Sequence, residues 1–316
     1  MSKARVSKWR VLVALMFASI LAYLAFVLWR AAVPAQWVFS IEVETEVAEI
    51  NLPPRARTQW QVDGVVLCAR GTLELADEFR VDPSASPCSG RAWRAYHVSA
   101  PEQVLELDGD ANASLNRLPE GGLAMSLRAA EGTSLGRFSV VGVVDDVALG
   151  EAANLIWTEI PAQSLTFPFS GSTTLGRAVG WSNAGMLRSG TVSIYTSDES
   201  ADKRTLVDET TLMLGDQVRL GDADGGESWP KGFARISAAE DVMHVVAFGR
   251  ADRLRIDRYG ESGYELKPGR FRKLASDPSV AFFGSLLAAY MTLILALQPF
   301  ADTKYNSFKK WIRGKD

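Results

Sequence analysis

The sequence predicts an all-β extracytoplasmic region, built as two antiparallel sandwich- or barrel-like modules and flanked by two transmembrane α-helices. Three observations predict it. An apolar run lies near each end of the chain, the long middle alternates apolar and polar residues with a period of two, and the charge is segregated into basic ends and an acidic middle.

Residues 1–10 carry Lys3, Arg5, Lys8 and Arg10 and no acid, and are expected to form a basic cytoplasmic N-terminus. From Val11 to Trp29 there are nineteen residues without a charge, bounded by Arg10 and Arg30. At a helical rise of about 1.5 Å per residue this nearly matches a hydrocarbon core of about 30 Å, so residues 11–30 are predicted to span a membrane. The alternative is a cleaved signal peptide ending near Val33-Pro34-Ala35. The apolar core of such a peptide runs to roughly 7–15 residues, and the longer run here favours an uncleaved anchor.

The second span is expected at residues 278–300. Asp277 can cap its first turn, Pro278 suits the first helical position, and Tyr305, Phe308 and Trp311 would sit at the far interface. Residues 301–316 hold Lys304, Lys309, Lys310, Arg313 and Lys315 against Asp302 and Asp316, which makes a basic cytoplasmic tail suited to the inner membrane surface. The terminal basic residues outnumber Arg30, Arg270, Arg272 and Lys273 on the other side of the spans. Both termini are therefore expected in the cytoplasm of a bacterial inner (plasma) membrane, with the middle of the chain in the periplasm. Small residues recur every four positions at Ala14, Ala18 and Ala22, and again at Gly284, Ala288, Thr292 and Ala296, a spacing that lets helices approach one another or a partner's helix.

Residues 36–278 keep 24 basic and 35 acidic side chains, a net of −11. That balance excludes nucleic acid and anionic headgroups as ligands of the middle region. Its cysteines, Cys68 and Cys88, are the only two in the chain and can close a disulfide loop in an oxidising compartment; with only His97 and His244 besides, no metal site or other cofactor is expected.

Phe39, Ile41, Val43, Thr45 and Val47 share one strand face, and Ser40, Glu42, Glu44 and Glu46 the other. Thr58–Val62 and Val65–Ala69 flank Asp63-Gly64, which predicts a hairpin. Further strands are expected at Leu73–Leu75, Ala92–Val98, Gln103–Leu107, Ala124–Ala129, Arg137–Val144 and Leu155–Glu159. After a proline-marked stretch at Pro161 and Pro168, strands resume at Gly190–Thr196, Leu206–Glu209, Gln217–Leu220, Phe233–Ser237, Val242–Phe248, Leu254–Arg258 and Tyr264–Lys267. The modules are accordingly placed at 36–162 and 163–275.

Catalytic motifs are weak. Ser200 and Lys203 form a Ser-x-x-Lys pair inside a polar inter-strand run, and the sequence has neither a Gly-x-Ser-x-Gly elbow nor a phosphate-cradling glycine loop. Asp108-Gly109-Asp110-Ala111-Asn112 starts like a calcium loop, but Ala113 stands where the glycine is needed and Pro119 where the closing glutamate is needed; Asp222 to Glu227 is a second acidic turn. Trp60 and Trp93 lie within alternating strands and are expected in the core. Trp181 and Trp229 lie in polar loops, where they could contact a partner or a glycan. The expectation is a non-enzymatic adaptor, scaffold or subunit of an envelope complex, anchored in the lipid bilayer and meeting protein partners; the alternative is a binding or sensing module for a glycan or other envelope polymer.

Overall fold

A computed structural model describes residues 8–32, 36–54, 56–70, 79–82, 86–88, 92–98, 102–177, 185–197, 204–221, 229–251, 253–258, 263–269, 272, 274–275, 277–293 and 296. They fall into two compact units: Met1–Ala35 with Gly269–Asp316, and Gln36–Pro268. The second unit contains no α-helix among its described residues.

Its strands begin with β1 (Gln36–Thr45), β2 (Val47–Leu52), β3 (Thr58–Gln61), β4 (Val66–Arg70), β5 (Trp93–His97), β6 (Gln103–Leu107) and β7 (Ala111–Arg117). They continue with β8 (Leu123–Ala129), β9 (Gly136–Val140), β10 (Val144–Ala148), β11 (Ala152–Trp157), β12 (Leu165–Ser170), β13 (Ser172–Leu175) and β14 (Leu187–Ser197). The last six are β15 (Arg204–Leu212), β16 (Gln217–Leu220), β17 (Lys231–Ile236), β18 (Met243–Arg250), β19 (Leu254–Asp257) and β20 (Tyr264–Leu266). All ladders are antiparallel. They form a six-stranded sheet in the order β12-β17-β18-β1-β14-β15, a ten-stranded sheet in the order β20-β19-β16-β13-β2-β7-β8-β11-β4-β5, and a four-stranded sheet in the order β10-β9-β6-β3.

Two chain segments pass directly from one sheet to another, and each passage has a local cause. β12 and β13 are separated by Gly171 alone, where a Cβ would fall 2.1 Å from the carbonyl oxygen of Asn51; only glycine allows that approach. β1 and β2 are separated by Glu46 alone. Its N–H donates to the Met186 carbonyl (2.9 Å) and its own carbonyl accepts from Arg117 N–H (2.8 Å). Its carboxylate accepts from Gly185 N–H (3.0 Å), Met186 N–H (3.2 Å) and Arg188 Nε (2.8 Å). A strand that changes sheets leaves its ladder for one residue, and these bonds replace the ladder at that point.

Burial pushes the Glu46 carboxyl upward, but the bonds from Arg188, Met186 and Gly185 outweigh it and hold the group below the usual carboxylate range. A carboxyl depressed in the folded state contributes stability above its unfolded pKa and loses it as pH falls through the lower folded value. Glu46→Gln is therefore expected to reduce stability by about 1–2 kcal/mol at pH 7. In urea titrations the gap between variant and wild type should close as pH drops below about 4. A gap unchanged between pH 7 and pH 3 would contradict this.

The core is one continuous cluster drawn from all three sheets. Phe39, Ile41, Val43 and Thr45 are buried on one face of β1, as alternation predicts; Val47, expected on that same face, is buried instead on β2, in another sheet beyond Glu46. At the centre Phe167 of β12 meets Trp60 of β3 and Trp157 of β11 edge-on, with ring centroids 5.5 Å and 5.8 Å away. Both indoles satisfy their N–H groups, Trp60 on the Pro168 carbonyl (2.7 Å) and Trp157 on the Asp63 carbonyl (2.9 Å).

Several sequence expectations are corrected. Asp63-Gly64 does make a turn, with Gly64 at φ 71°, but the flanking strands do not pair with each other: β3 pairs with β6, and β4 with β11 and β5. Asp63 turns the chain from one sheet to another, its carboxylate accepting from Gln103 N–H (2.8 Å) and Gln61 Nε2 (2.9 Å). The boundary between modules at 162 and 163 does not separate the ladders. β1 pairs with β14 and β18, and β2 with β13, so residues on both sides share two sheets inside one compact unit. Trp93 is half-buried near the edge of the ten-stranded sheet, stacked under Arg70 at 5.9 Å. Leu73–Leu75, Asp222–Glu227, Ser200, Lys203 and the tail 301–316 lie outside the described residues.

In the first unit, α1 (Lys8–Ala32) packs on a second helix, residues 278–293. Asp277 caps the latter, its Oδ1 accepting from Ser279 N–H (2.9 Å). The Tyr23 hydroxyl donates to the Val280 carbonyl (3.3 Å), and Phe26 meets Phe283 edge-on at 5.2 Å. The backbone of α1 covers 25 residues, but its side chains are described only from Ala14 to Trp29. Among the described residues no helix is long and apolar enough to cross a membrane, so the two expected spans find no support there.

Candidate interaction face

The six-stranded sheet buries one face and leaves the other open. On β12, Leu165, Phe167 and Phe169 are buried, and Thr166 and Pro168 exposed. On β17, Ala234 and Ile236 are buried, and Lys231, Phe233 and Arg235 exposed. On β18, Met243, Val245 and Ala247 are buried, His244 and Val246 half-buried, and Phe248 and Arg250 exposed. Alternation at period two thus puts aromatic and cationic side chains together on the open face.

Register fixes how they meet. One row across the sheet reads Pro168, Phe233, Val246, Glu42, Thr191, Thr211. The row on one side reads Lys231, Phe248, Ser40, Ser193, Glu209, and the row on the other side reads Arg235, His244, Glu44, Ser189. Phe233 and Phe248 are diagonal neighbours, within reach of aromatic side chains, and each is 38% exposed. Large apolar groups left in water on a flat sheet mark a contact surface when they are contiguous, as these are with Pro168 and Val246.

The charge on this face is divided. The β12–β17–β18 half carries Lys231, Arg235 and Arg250, and among the described residues none of these three side chains is ion-paired. The β1–β14–β15 half carries Glu42, Glu44 and Glu209 amid serines and threonines, with Ser189 Oγ donating to Glu44 (2.8 Å). Where the rows cross from one half to the other, His244 Nε2 lies 3.0 Å from Glu240.

Trp229 stands half-buried at the entry to β17, next to buried Pro230 and exposed Lys231, so alternation brings it to the end of this same face. Trp181 lies outside the described residues. Cys68 and Cys88 form the disulfide, with Cα atoms 5.8 Å apart. The Arg80–Tyr96 bridge and Val81 N–H on the Ala95 carbonyl (2.9 Å) set Arg80 and Val81 along β5, the edge of the ten-stranded sheet, and the disulfide ties Cys88 to the neighbouring β4. Covering an exposed edge removes a template for unwanted strand pairing.

Of the small helix residues, Gly284 sits against Tyr23, where a Cβ would fall 2.9 Å from the hydroxyl. Ala22 lines an apolar groove of about 750 Å³ with Ser19, Tyr23, Phe26, Leu287 and Tyr290. Ala14, Ala18, Ala288, Thr292 and Ala296 are exposed. His97 is exposed, its Nδ1 3.3 Å from the Val65 carbonyl, and among the described residues no three acidic, histidine or cysteine side chains converge on a possible metal position.

The phenylalanine patch was not singled out from the sequence, although a signal existed. Phe233 shares strand parity with Lys231 and Arg235, and Phe248 with His244 and Arg250, so the charged neighbours already assign both rings to the solvent side. Comparison of the chain with protein-family models, with curated proteins and with solved structures returns no match.

Proposed function

We propose that this chain is a membrane-anchored, non-enzymatic adaptor or scaffold subunit of the bacterial envelope, whose periplasmic β domain offers the open face of its six-stranded sheet to a protein partner. The observation that carries the reading is the contiguous patch of Pro168, Phe233, Val246 and Phe248 flanked by Lys231, Arg235 and Arg250, which have no ion-pair partner among the described residues. A patch with aromatics at its centre and arginines beside them has the composition of an interface core.

Anchoring is supported by the uncharged runs at 11–29 and 278–300 and by their basic outer flanks. It is also supported by large apolar side chains that the paired helices leave uncovered, among them Phe17, Leu21, Leu24, Leu28, Phe282, Leu286 and Leu293. In water such a surface is unfavourable, and in hydrocarbon it is not. Reporter fusions test the topology. An enzyme active only in the cytoplasm should work when fused at Asp316, and one active only outside should work when fused within the β domain. The opposite pattern, or release of the protein from vesicles by alkali, would overturn the anchor.

The adaptor reading is tested by affinity purification from mild detergent. Phe233→Ala/Phe248→Ala should weaken retention of a bound partner by about tenfold or more while moving the melting temperature little, because both rings are partly solvated already. Retention equal to wild type would count against this face. The glycan reading keeps one observation, the placement of Trp229 beside the patch; it predicts polysaccharide binding that Trp229→Ala abolishes.

A further inference from the structure

The open face is divided into a cationic half and an anionic half by the line between β18 and β1, and we propose that its occupant is a second copy of this chain, packed face to face about a two-fold axis along that line. The proposal rests on the reading of this face as a docking surface and goes further by naming what docks.

The geometry follows from register. A two-fold axis lying in the interface and parallel to the strands exchanges the two halves and keeps each cross-strand row at its own height. Lys231 of the copy then stands above the Ser193–Glu209 end of its row, and Arg235 of the copy above the Glu44–Ser189 end of its row. Glu42 lies in the row between these two cation-bearing rows. An isologous contact must be self-complementary, and a face with cations prevailing on one side of the axis and carboxylates on the other meets that condition, whereas a face of one sign does not. β18 adjoins the axis, so the Phe248 rings of the two copies approach each other at the centre. That apolar centre shields the flanking ion pairs from water, and facing sheets about 10 Å apart leave room for both rings.

Net charge sharpens the argument. The region carries −11, so two copies repel each other over most approaches. The half-face holding Lys231, Arg235 and Arg250 supplies the local positive surface through which an acidic body can meet its own acidic side.

Two experiments on the full-length protein decide it. Phe248→Cys introduces the only free thiol, since Cys68 and Cys88 are bonded to each other. Oxidation in membranes should link Phe248→Cys chains into dimers, while Thr166→Cys, on the outermost strand of the cationic half, should not link. Equal yields at both positions, or none at position 248, would overturn the axis.

The second experiment uses charge. One variant, Lys231→Glu/Arg235→Glu/Arg250→Glu, makes the whole face anionic; another, Glu42→Lys/Glu44→Lys/Glu209→Lys, makes it cationic. Sedimentation in density-matched detergent should show wild-type dimers, at least tenfold weaker self-association of each variant, and a restored dimer when the two variants are mixed. Variants that still self-associate as wild type does, or that fail to associate when mixed, would overturn the proposal. If the wild-type chain is monomeric and a co-purifying protein is lost only from the anionic variant, self-association is overturned and the docking reading stands. If neither variant changes any association, both readings fall.

Discussion

Trp157→Ala is expected to lower the stability of the β domain by about 3–5 kcal/mol, the range for truncating a large aromatic in a core that cannot fully collapse. Trp157 is wholly buried, and the Phe167 ring against which it packs also holds Trp60. The three rings come from the ten-stranded, six-stranded and four-stranded sheets, so their contact is where the sheets are joined. Truncation also removes the donor to the Asp63 carbonyl, at the turn that carries the chain from β3 to β4. For a domain of this size each kcal/mol moves the melting temperature by roughly 2–4 °C, so a loss on the order of 10 °C should be visible by circular dichroism. Trp93→Ala, at a half-buried edge position, should shift it far less. Equal shifts for the two variants would mean that the junction is not where the rings place it.

What the sequence made legible follows from periodicity. Period-two alternation found most of the strands, including β6 at Gln103–Leu107 and β16 at Gln217–Leu220 with their observed bounds, because a half-buried strand must alternate. The disulfide was legible because two cysteines in a β region have one possible pairing. Strand partners were not legible. Asp63-Gly64 has the residues of a hairpin turn, yet a turn motif specifies a change of direction and not which strands pair after it. Pro161 and Pro168 read as a boundary and so conceal β12; Pro168 is tolerated because β12 is a sheet edge, where a missing N–H need not break a ladder. β7 was hidden because Ala111, Asn112, Ala113 and Ser114 have little β propensity, and pairing with β2 and β8 on either side holds them extended. The open face needed the fold: the charges of Glu42, Glu44, Lys231 and Arg235 are plain in the sequence, but their division across one sheet exists only once β1 lies beside β18.

Removing the disulfide with Cys68→Ala/Cys88→Ala is expected to reduce stability by about 3 kcal/mol, the loop-closure value for a bridge spanning some 20 residues. The native state adds a second contribution. Cys68 is fully buried on β4, and Arg80 and Val81, eight and seven residues before Cys88, bond along β5, so loss of the bridge loosens the contact that covers that sheet edge. The double variant should therefore unfold at lower urea and also aggregate more readily than an equally destabilised core variant, because an uncovered edge offers unpaired N–H and C=O groups to other chains. The same bridge tests the compartment. Protein alkylated in intact cells should show no reactive thiol until it is reduced, as a bond formed on the oxidising side of the membrane requires. If both cysteines are freely alkylated in cells, the bridge can still close in the isolated domain, but the β domain does not face the periplasm.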